Sequence, residues 1–149
     1  MEIIKTSSKN KEFQFLVLLL DEELAERDGP LHDFYHQFNG IENLDHVILV
    51  KEGEVAIACG AIKLFERDMM EVKRMFVKKE YRSKGIAGLV LKELESWSIE
   101  LGAEKCVLET GKRQPEAISL YLKAGYKKTP NYGQYKGIEN SVCMEKDLI

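Results

Sequence analysis

The segment from Glu71 to Gly102 constrains the fold of this chain more than any other part of the sequence. It reads as an apolar-rich strand, a short basic turn at 82–87 and a long amphipathic helix, with no break between them. A turn that joins a strand to a helix start directs several unpaired backbone N–H groups, and the positive end of the helix dipole, at one point in space. The segment therefore predicts an anion-binding site, and a diphosphate is the anion that we expect.

The turn at 82–87 has the sequence Arg-Ser-Lys-Gly-Ile-Ala and follows a strand that ends at Val77. It has neither the GxxxxGK[ST] spacing of a nucleotide P-loop nor the GxGxxG spacing of a dinucleotide-binding turn. The positions of Arg82, Gly85 and Ala87 instead resemble the pyrophosphate-binding motif Gln/Arg-x-x-Gly-x-Gly/Ala of the Gcn5-related N-acetyltransferase (GNAT) superfamily. A turn this short also occurs as a plain helix start.

A second segment, 114–126, strengthens this resemblance. It has Pro115 in the first turn of a short helix and Gly125 after the last turn, both of which are common helix punctuation. It is similar to the second GNAT signature, Asn-x-x-Ala-x-x-Leu-Tyr-x-x-x-Gly-Phe/Tyr, through six positions: Gln114, Ala117, Leu120, Tyr121, Gly125 and Tyr126. The two motifs stand in the order and at the separation found in the family, and the resemblance extends through the closing strands to Met144.

The order of predicted elements agrees with a mixed α/β (α+β) fold. Hydrophobic periodicity predicts helices over 10–27, 31–38, 85–101 and 115–124, and strands over 2–6, 46–51, 54–65, 70–77, 104–109, 125–129 and 140–146. Antiparallel strands followed by two strand–helix units predict a mixed, mostly antiparallel twisted sheet with helices on both faces. The resemblance implies a single acyltransferase domain over residues 1–149, with a splay between the fourth and fifth strands, 70–77 and 104–109.

The resemblance also implies acetyl-CoA as co-substrate. Backbone N–H groups at the splayed end of the fourth strand would hold the pantetheine arm and polarise the thioester carbonyl, at Met75, Phe76 and Val77. The diphosphate would lie on the turn and helix start, at Arg82, Ser83, Lys84, Gly85, Ile86, Ala87 and Gly88. Gln114 departs from the usual Asn of the family. Its longer amide can reach the cofactor arm, or it can cap the helix that follows.

Three side chains are candidates for the proton transfers that acyl transfer to an amine requires. Tyr121 matches the position at which many family members carry a tyrosine that protonates the leaving thiolate, although it could also be a core aromatic residue. Glu71 opens the predicted fourth strand and Glu109 ends the fifth, so either could accept the amine proton, directly or through water. We prefer Glu71 as the base, and either carboxylate could be a solvated strand end.

Composition limits the partners. A formal net charge of −3 gives no reason to expect nucleic-acid binding. The widely spaced Cys59, Cys106 and Cys143 predict buried thiols and neither disulfides nor a metal site. No signal peptide or membrane-spanning run is predicted, so we expect a cytoplasmic protein without a membrane partner. Homodimerisation through strand edges fits this architecture, but the sequence does not decide it.

Two further features stay open. His32 and His36 are four residues apart on a predicted helix, and they could bind a metal, line the acceptor pocket or lie on a half-exposed surface. We expect no metal, because no third ligand is evident. The polar aromatic segment 131–135 could cover the acceptor site or form a simple turn.

Together these features predict an N-acetyltransferase that moves the acetyl group of acetyl-CoA to a primary amine, in a ternary complex and without an acyl-enzyme. A small molecule is the preferred acceptor, and a polyamine-like cation or a lysine side chain is also compatible with the acidic balance of the chain. The alternatives are a catalytically idle CoA-binding sensor, a protein lysine or N-terminal acetyltransferase, and a nucleotide-binding regulatory domain.

Overall fold

A computed structural model describes residues 1–29 and 43–149 of the chain. The predicted helix over 31–38, with His32 and His36, lies outside these residues. The described helices are α1 (Lys11–Asp28), α2 (Ile86–Glu100) and α3 (Pro115–Lys123). The strands are β1 (Glu2–Thr6), β2 (His46–Glu52), β3 (Val55–Glu66), β4 (Met69–Val77), β5 (Lys105–Gly111), β6 (Lys127–Thr129) and β7 (Ser141–Asp147). Short 3₁₀ turns cover Lys79–Tyr81 and Gly133–Tyr135.

The strands form one sheet in the order β1-β2-β3-β4-β5-β7-β6. Neighbouring strands are antiparallel except for β4 and β5, which run parallel. Parallel neighbours need a crossover connection, and α2 supplies it. The prediction of a mixed, mostly antiparallel sheet is therefore confirmed.

The two faces of the sheet carry separate cores, as predicted for helices on both faces. Phe13, Leu16 and Val17 of α1 pack on one face, against the inward side chains of β2 and β3. Helices α2 and α3 cover the opposite face, where Val90 and Leu94 are fully buried. The amphipathic helix predicted over 85–101 ends one residue earlier than expected: α2 stops at Glu100, and the Leu101 side chain, just beyond it, is exposed.

Gly60 of β3 permits the close approach of α2 to the sheet. A Cβ atom at this position would lie 2.7 Å from the Met75 sulfur and 2.8 Å from Cγ1 of Val90. Real side chains do not pack at such distances, so a residue larger than glycine would push α2 and β4 away from β3.

Two boundaries differ from prediction and change where the candidate carboxylates lie. The tight β3–β4 turn places Asp68 at φ 65°, so β4 begins at Met69, one residue earlier than predicted, and Glu71 is its third residue. Strand β5 runs on to Gly111 because its pairing with β7 continues to Ser141, which places Glu109 inside β5 instead of at its end. Both carboxylates therefore lie inside strands, with paired residues before and after them in the chain.

Candidate active site

The site begins where β4 and β5 separate. Their parallel ladder consists of three residue pairs and ends at Glu71 and Val107. Three residues later, Arg74 has a left-handed backbone with φ 59°, and the register of β3 against β4 shifts between the pairs Cys59–Phe76 and Ala61–Lys73. An extra residue of this kind bends its strand and increases the local twist. The bulge thus turns the end of β4 away from β5 and opens a wedge in the sheet.

The larger cavity of the wedge has a volume of about 630 Å³, and most of the residues predicted to bind the cofactor line it. The end of β4, the turn after it, the start of α2 and one side of α3 all contribute to its walls. Ten of the eleven predicted cofactor residues line it: Met75, Phe76, Val77, Arg82, Ser83, Gly85, Ile86, Ala87, Gly88 and Gln114. The eleventh, Lys84, is exposed, and its ammonium group lies 5.6 Å from the centre of the Tyr81 ring.

The turn before α2 is shaped by two left-handed residues, Ser83 at φ 64° and Gly85 at φ 81°. Gly85 is the N-cap residue and gives no side-chain hydrogen bond to the helix, whose first backbone bond runs from the Leu89 N–H to the Gly85 carbonyl. The N–H groups of the first turn of α2 therefore lack intrahelical partners, and they lie at the cavity wall with the positive end of the helix dipole. This is the local geometry of an anion site.

The Arg82 side chain is already engaged. Its two terminal nitrogens donate to Glu23 of α1 at 2.8 and 2.7 Å, and its Nε donates to the Val77 carbonyl at 2.8 Å. These hydrogen bonds and the positive charge lower the pKa of Glu23. Arg82 thus fixes the turn to α1 and to the end of β4.

A second ion pair crosses the cleft beside the first. Arg27 of α1 donates to Glu116 of α3 at 2.8 Å, and it also lies 3.4 Å from Glu23. All three side chains line the larger cavity. Charged groups from α1 and α3 therefore meet at the wall of the larger cavity.

A smaller cavity of about 120 Å³ lies on the α1 face of the wedge. It contains both predicted carboxylates, Glu71 and Glu109, together with Lys73, Arg74 and Tyr135. Six residues line both cavities: Leu20, Leu24, Met75, Gln114, Ala117 and Tyr121. The two cavities therefore meet around Tyr121.

Tyr121 is held neutral at this junction. Its side chain is 7% exposed and packs against the Tyr126 ring at a centroid distance of 5.9 Å. Burial raises the pKa of the phenol, and the negative charge of Glu109 raises it further. A neutral phenol at the meeting point of two cavities can donate a proton to a group that becomes negative there.

Glu71 is 6% exposed and is held by a residue that sequence reasoning did not single out as its partner. The Tyr132 hydroxyl donates to one carboxylate oxygen at 2.6 Å, and Lys73 Nζ lies 3.8 Å from the other. Burial, followed by the negative charge of Glu71, raises the pKa of Tyr132, so the phenol stays protonated and keeps donating. The segment 131–135 therefore contributes directly to this cavity and is more than a turn.

Gln114 lines both cavities and is the N-cap residue of α3. Its side chain makes no capping hydrogen bond, so the capping alternative is wrong. Its backbone N–H instead donates to the Gly111 carbonyl at 3.0 Å, which ties the helix start to the end of β5. The amide group is thus left to face the wedge.

The three cysteines are free and buried, as predicted, and none lines either cavity. Burial raises the pKa of Cys59 to about 12 and that of Cys143 to about 11, and it also raises the pKa of Cys106. Within residues 1–29 and 43–149, no cluster of three His, Cys, Asp or Glu side chains could hold a metal ion. The helices of the same ranges include none with the length and apolar character needed to cross a membrane.

Comparison with known proteins identifies the family. The model of the acetyltransferase (GNAT) family matches residues 13–126. An IAA acetyltransferase of Azospirillum brasilense is 31% identical to this chain over an alignment that covers 96% of this chain and 97% of the relative. A crystal structure of a Klebsiella pneumoniae protein assigned as an acyl-CoA N-acyltransferase superposes with a TM-score of 0.82 at 25% identity, covering 99% of this chain and 97% of that one.

A more distant structure shows the same fold. The PaiA N-acetyltransferase of Thermoplasma acidophilum, solved in complex with coenzyme A, superposes with a TM-score of 0.73 at 19% identity and covers 98% of both chains. The fold, the separation of β4 from β5 and the length of the sequence match all point to the same family. The chain therefore belongs to the acetyltransferase (GNAT) family.

Proposed function

We propose that this enzyme transfers the acetyl group of acetyl-CoA to a primary amine of a small molecule, by direct attack in a ternary complex. Family membership gives the reaction class, acetyl transfer from acetyl-CoA. The observation that carries the rest is the meeting of two cavities at Tyr121, one with an anion-binding helix start and one with two carboxylates. Such an arrangement brings a thioester and an amine together at one point.

The larger cavity holds acetyl-CoA in this proposal. Its volume suits a cofactor arm, and the uncapped start of α2 supplies N–H groups and a positive dipole for the diphosphate. The end of β4, from Met75 to Val77, faces the opened side of the ladder, so its backbone N–H groups can bind the pantetheine arm and polarise the thioester carbonyl. The Thermoplasma relative, which has the same fold, was solved with coenzyme A bound.

Arg82 and Lys84 take different parts in diphosphate binding. Because Glu23 compensates the Arg82 charge, Arg82 acts mainly by holding the turn in place, and the backbone supplies most of the hydrogen bonds. Lys84 is exposed beside Tyr81, which lines the larger cavity, and it contributes a screened positive charge. The Gln114 amide, which is free of capping, reaches the arm of the cofactor from the other wall.

The chemical step needs two proton transfers, and both take place where the two cavities meet. The acceptor nitrogen attacks the thioester carbonyl, a C–N bond forms, and the C–S bond breaks to release CoA. Tyr121 gives its proton to the departing thiolate, and a carboxylate takes the proton that the amine loses. We assign the base to Glu71 and keep Glu109, or a water held by it, as the second candidate. An acyl-cysteine intermediate is disfavoured because all three thiols have raised pKa values and lie outside both cavities.

The experiment combines calorimetry with a thiol-release assay. Acetyl-CoA and free CoA should bind, ATP should bind far more weakly, and primary amines should cause thiol release. Ala87→Glu adds a carboxylate at the diphosphate site and should weaken acetyl-CoA binding by at least about tenfold. Ser96→Glu is the matched control, because it adds the same charge to an exposed position of α2.

The outcomes separate the proposal from its alternatives. Binding without release for any amine would indicate a CoA sensor, and release only with peptides would indicate a protein acetyltransferase. Equal weakening by both charge variants would refute the diphosphate site. A single acyltransferase domain, a cytoplasmic location and the absence of nucleic-acid and membrane partners stay predictions of the sequence, and dimerisation stays undecided.

A further inference from the structure

Arg74 carries a charged group whose hydrogen bonding is incomplete. Its side chain is 3% exposed, and Nη1 donates to Asp21 of α1 at 2.8 Å. Nη2 is also buried and has no hydrogen-bond partner among the residues that the structure describes. An unsatisfied buried donor is destabilising, and more so when the group is charged. Buried polar groups without a hydrogen-bond partner are rare in native proteins, so this one requires an explanation.

The backbone at this position is also unusual. Arg74 is the left-handed residue of the β4 bulge, a conformation that is unfavourable for a residue other than glycine. A bulge re-aims the side chain of the strand that carries it. Here it brings the guanidinium to α1, and Arg74 lines the smaller cavity together with the α1 residues Leu20 and Leu24. A left-handed backbone and an unpaired donor thus coincide in one residue that lines the smaller cavity.

The smaller cavity is lined by both acidic and basic side chains. Glu71 and Glu109 bring negative charge to it, and Lys73 and Arg74 bring positive charge. A purely cationic acceptor such as a polyamine would meet both cations on entering, whereas a zwitterion can match each kind with its opposite. The volume of about 120 Å³ also suits a compact molecule better than an extended one.

We propose that Arg74 binds the carboxylate of the acceptor, and that the acceptor is therefore a small amino acid. The inference rests on the proposed function and gives the substrate class of that same site. Asp21 occupies one terminal nitrogen of the guanidinium, and Nη2 remains for a substrate oxygen in a charge-assisted hydrogen bond. The amino group of the same molecule then lies toward Glu71 and Glu109, on the side of the thioester.

The test compares amino acids with their amides in the thiol-release assay. The amide has nearly the same size and differs by the lost negative charge. Its amine is also the less basic of the two, so deprotonation alone would favour the amide. We expect kcat/KM for the amino acid to exceed that for the amide by at least about tenfold, mainly through KM, as loss of a charge-assisted contact requires.

Three variants connect this preference to Arg74. Arg74→Gln should abolish the preference for the amino acid, and Arg74→Lys, which keeps the charge but loses the fork, should retain part of it. Asp21→Asn leaves Arg74 in place and removes its competing anion, so it should strengthen the preference. This opposite sign protects the test against a simple loss of stability in Arg74→Gln, and acetyl-CoA binding by calorimetry reports whether each variant is folded.

The results distinguish the two levels of the proposal. If amines release thiol but the amide is used as well as the amino acid, the role of Arg74 is wrong and the proposed function stands. The role is also wrong if Arg74→Gln keeps the wild-type preference while still binding acetyl-CoA. If acetyl-CoA binds and no amine of either kind releases thiol, the proposed function fails, and the acceptor assignment fails with it.

Discussion

Replacing Tyr121 with Phe removes one oxygen atom from the point where the two cavities meet. The ring can keep its buried place and its contact with Tyr126, so the free energy of unfolding should change by less than about 1 kcal/mol. Catalysis should change far more. A positioned general acid raises a reaction rate by about 10²- to 10⁴-fold. A thiolate of ordinary pKa is a good leaving group, so its protonation should contribute at the lower end of this range. We therefore expect kcat to fall by about 100-fold, which corresponds to about 2.7 kcal/mol.

The assay is steady-state thiol release at saturating amine, together with calorimetric binding of acetyl-CoA. Because the proton is transferred in the transition state, the loss should appear in kcat, and the dissociation constant of acetyl-CoA should stay the same. Tyr126→Phe is the matched control. It removes the same atom from a neighbouring buried tyrosine that lies outside both cavities.

The reasoning would be refuted if Tyr121→Phe turned over at the wild-type rate. Water would then protonate the thiolate, and Tyr121 would be only a packing residue of α3. A fall in kcat of equal size in Tyr126→Phe would also contradict it, because the effect would then come from the packing of the two rings instead of from proton donation.

Other predictions test how the site is supported. Tyr132→Phe should lower kcat/KM about tenfold without weakening acetyl-CoA binding, because Glu71 loses its 2.6 Å hydrogen bond; unchanged kinetics would show that the carboxylate needs no such support. Gly60→Ala should lower the free energy of unfolding in urea by about 1–3 kcal/mol, since its Cβ would overlap the Met75 sulfur, and an unchanged midpoint would contradict the packing of α2. The buried tyrosines of the site have raised pKa values, so above about pH 10 the unfolded chain loses protons that the folded chain keeps. The urea midpoint should therefore fall as pH rises from 10 to 11, and less steeply in Tyr135→Phe, whereas identical slopes would count against the effect.

The sequence could bring together most of the residues proposed to bind the cofactor, because the signals that mark them are local. The strand, turn and helix around Gly85 are contiguous, and Pro115 and Gly125 mark a helix of fixed length. The predicted cofactor residues therefore fell on one cavity wall almost without exception. Lys84 is the exception, because a motif position does not state on which side of a turn a side chain lies.

The acceptor side depended on contacts between remote segments. Tyr132 is 61 residues from Glu71, and Glu23 is 59 residues from Arg82, so no local pattern indicates either pair. The bulge at Arg74 has no sequence signal either, because the left-handed residue is an arginine instead of the glycine that usually marks such a position. The sequence marks 131–135 as a polar aromatic segment, but only the fold shows that Tyr132 in this segment reaches the Glu71 carboxylate.

The early end of the β4–β5 ladder has a consequence for the stability of the whole protein. Past Glu71 and Val107, β4 and β5 no longer pair with each other, so the facing backbone groups of these two central strands lack a neighbouring strand. The pantetheine arm carries two amides and can fill this gap much as a short strand would. A ligand that binds only the folded state adds about 2.7 kcal/mol at a hundredfold excess over its dissociation constant. We therefore expect the free energy of unfolding to rise with the concentration of acetyl-CoA or of the released CoA, since either molecule can occupy the gap between β4 and β5.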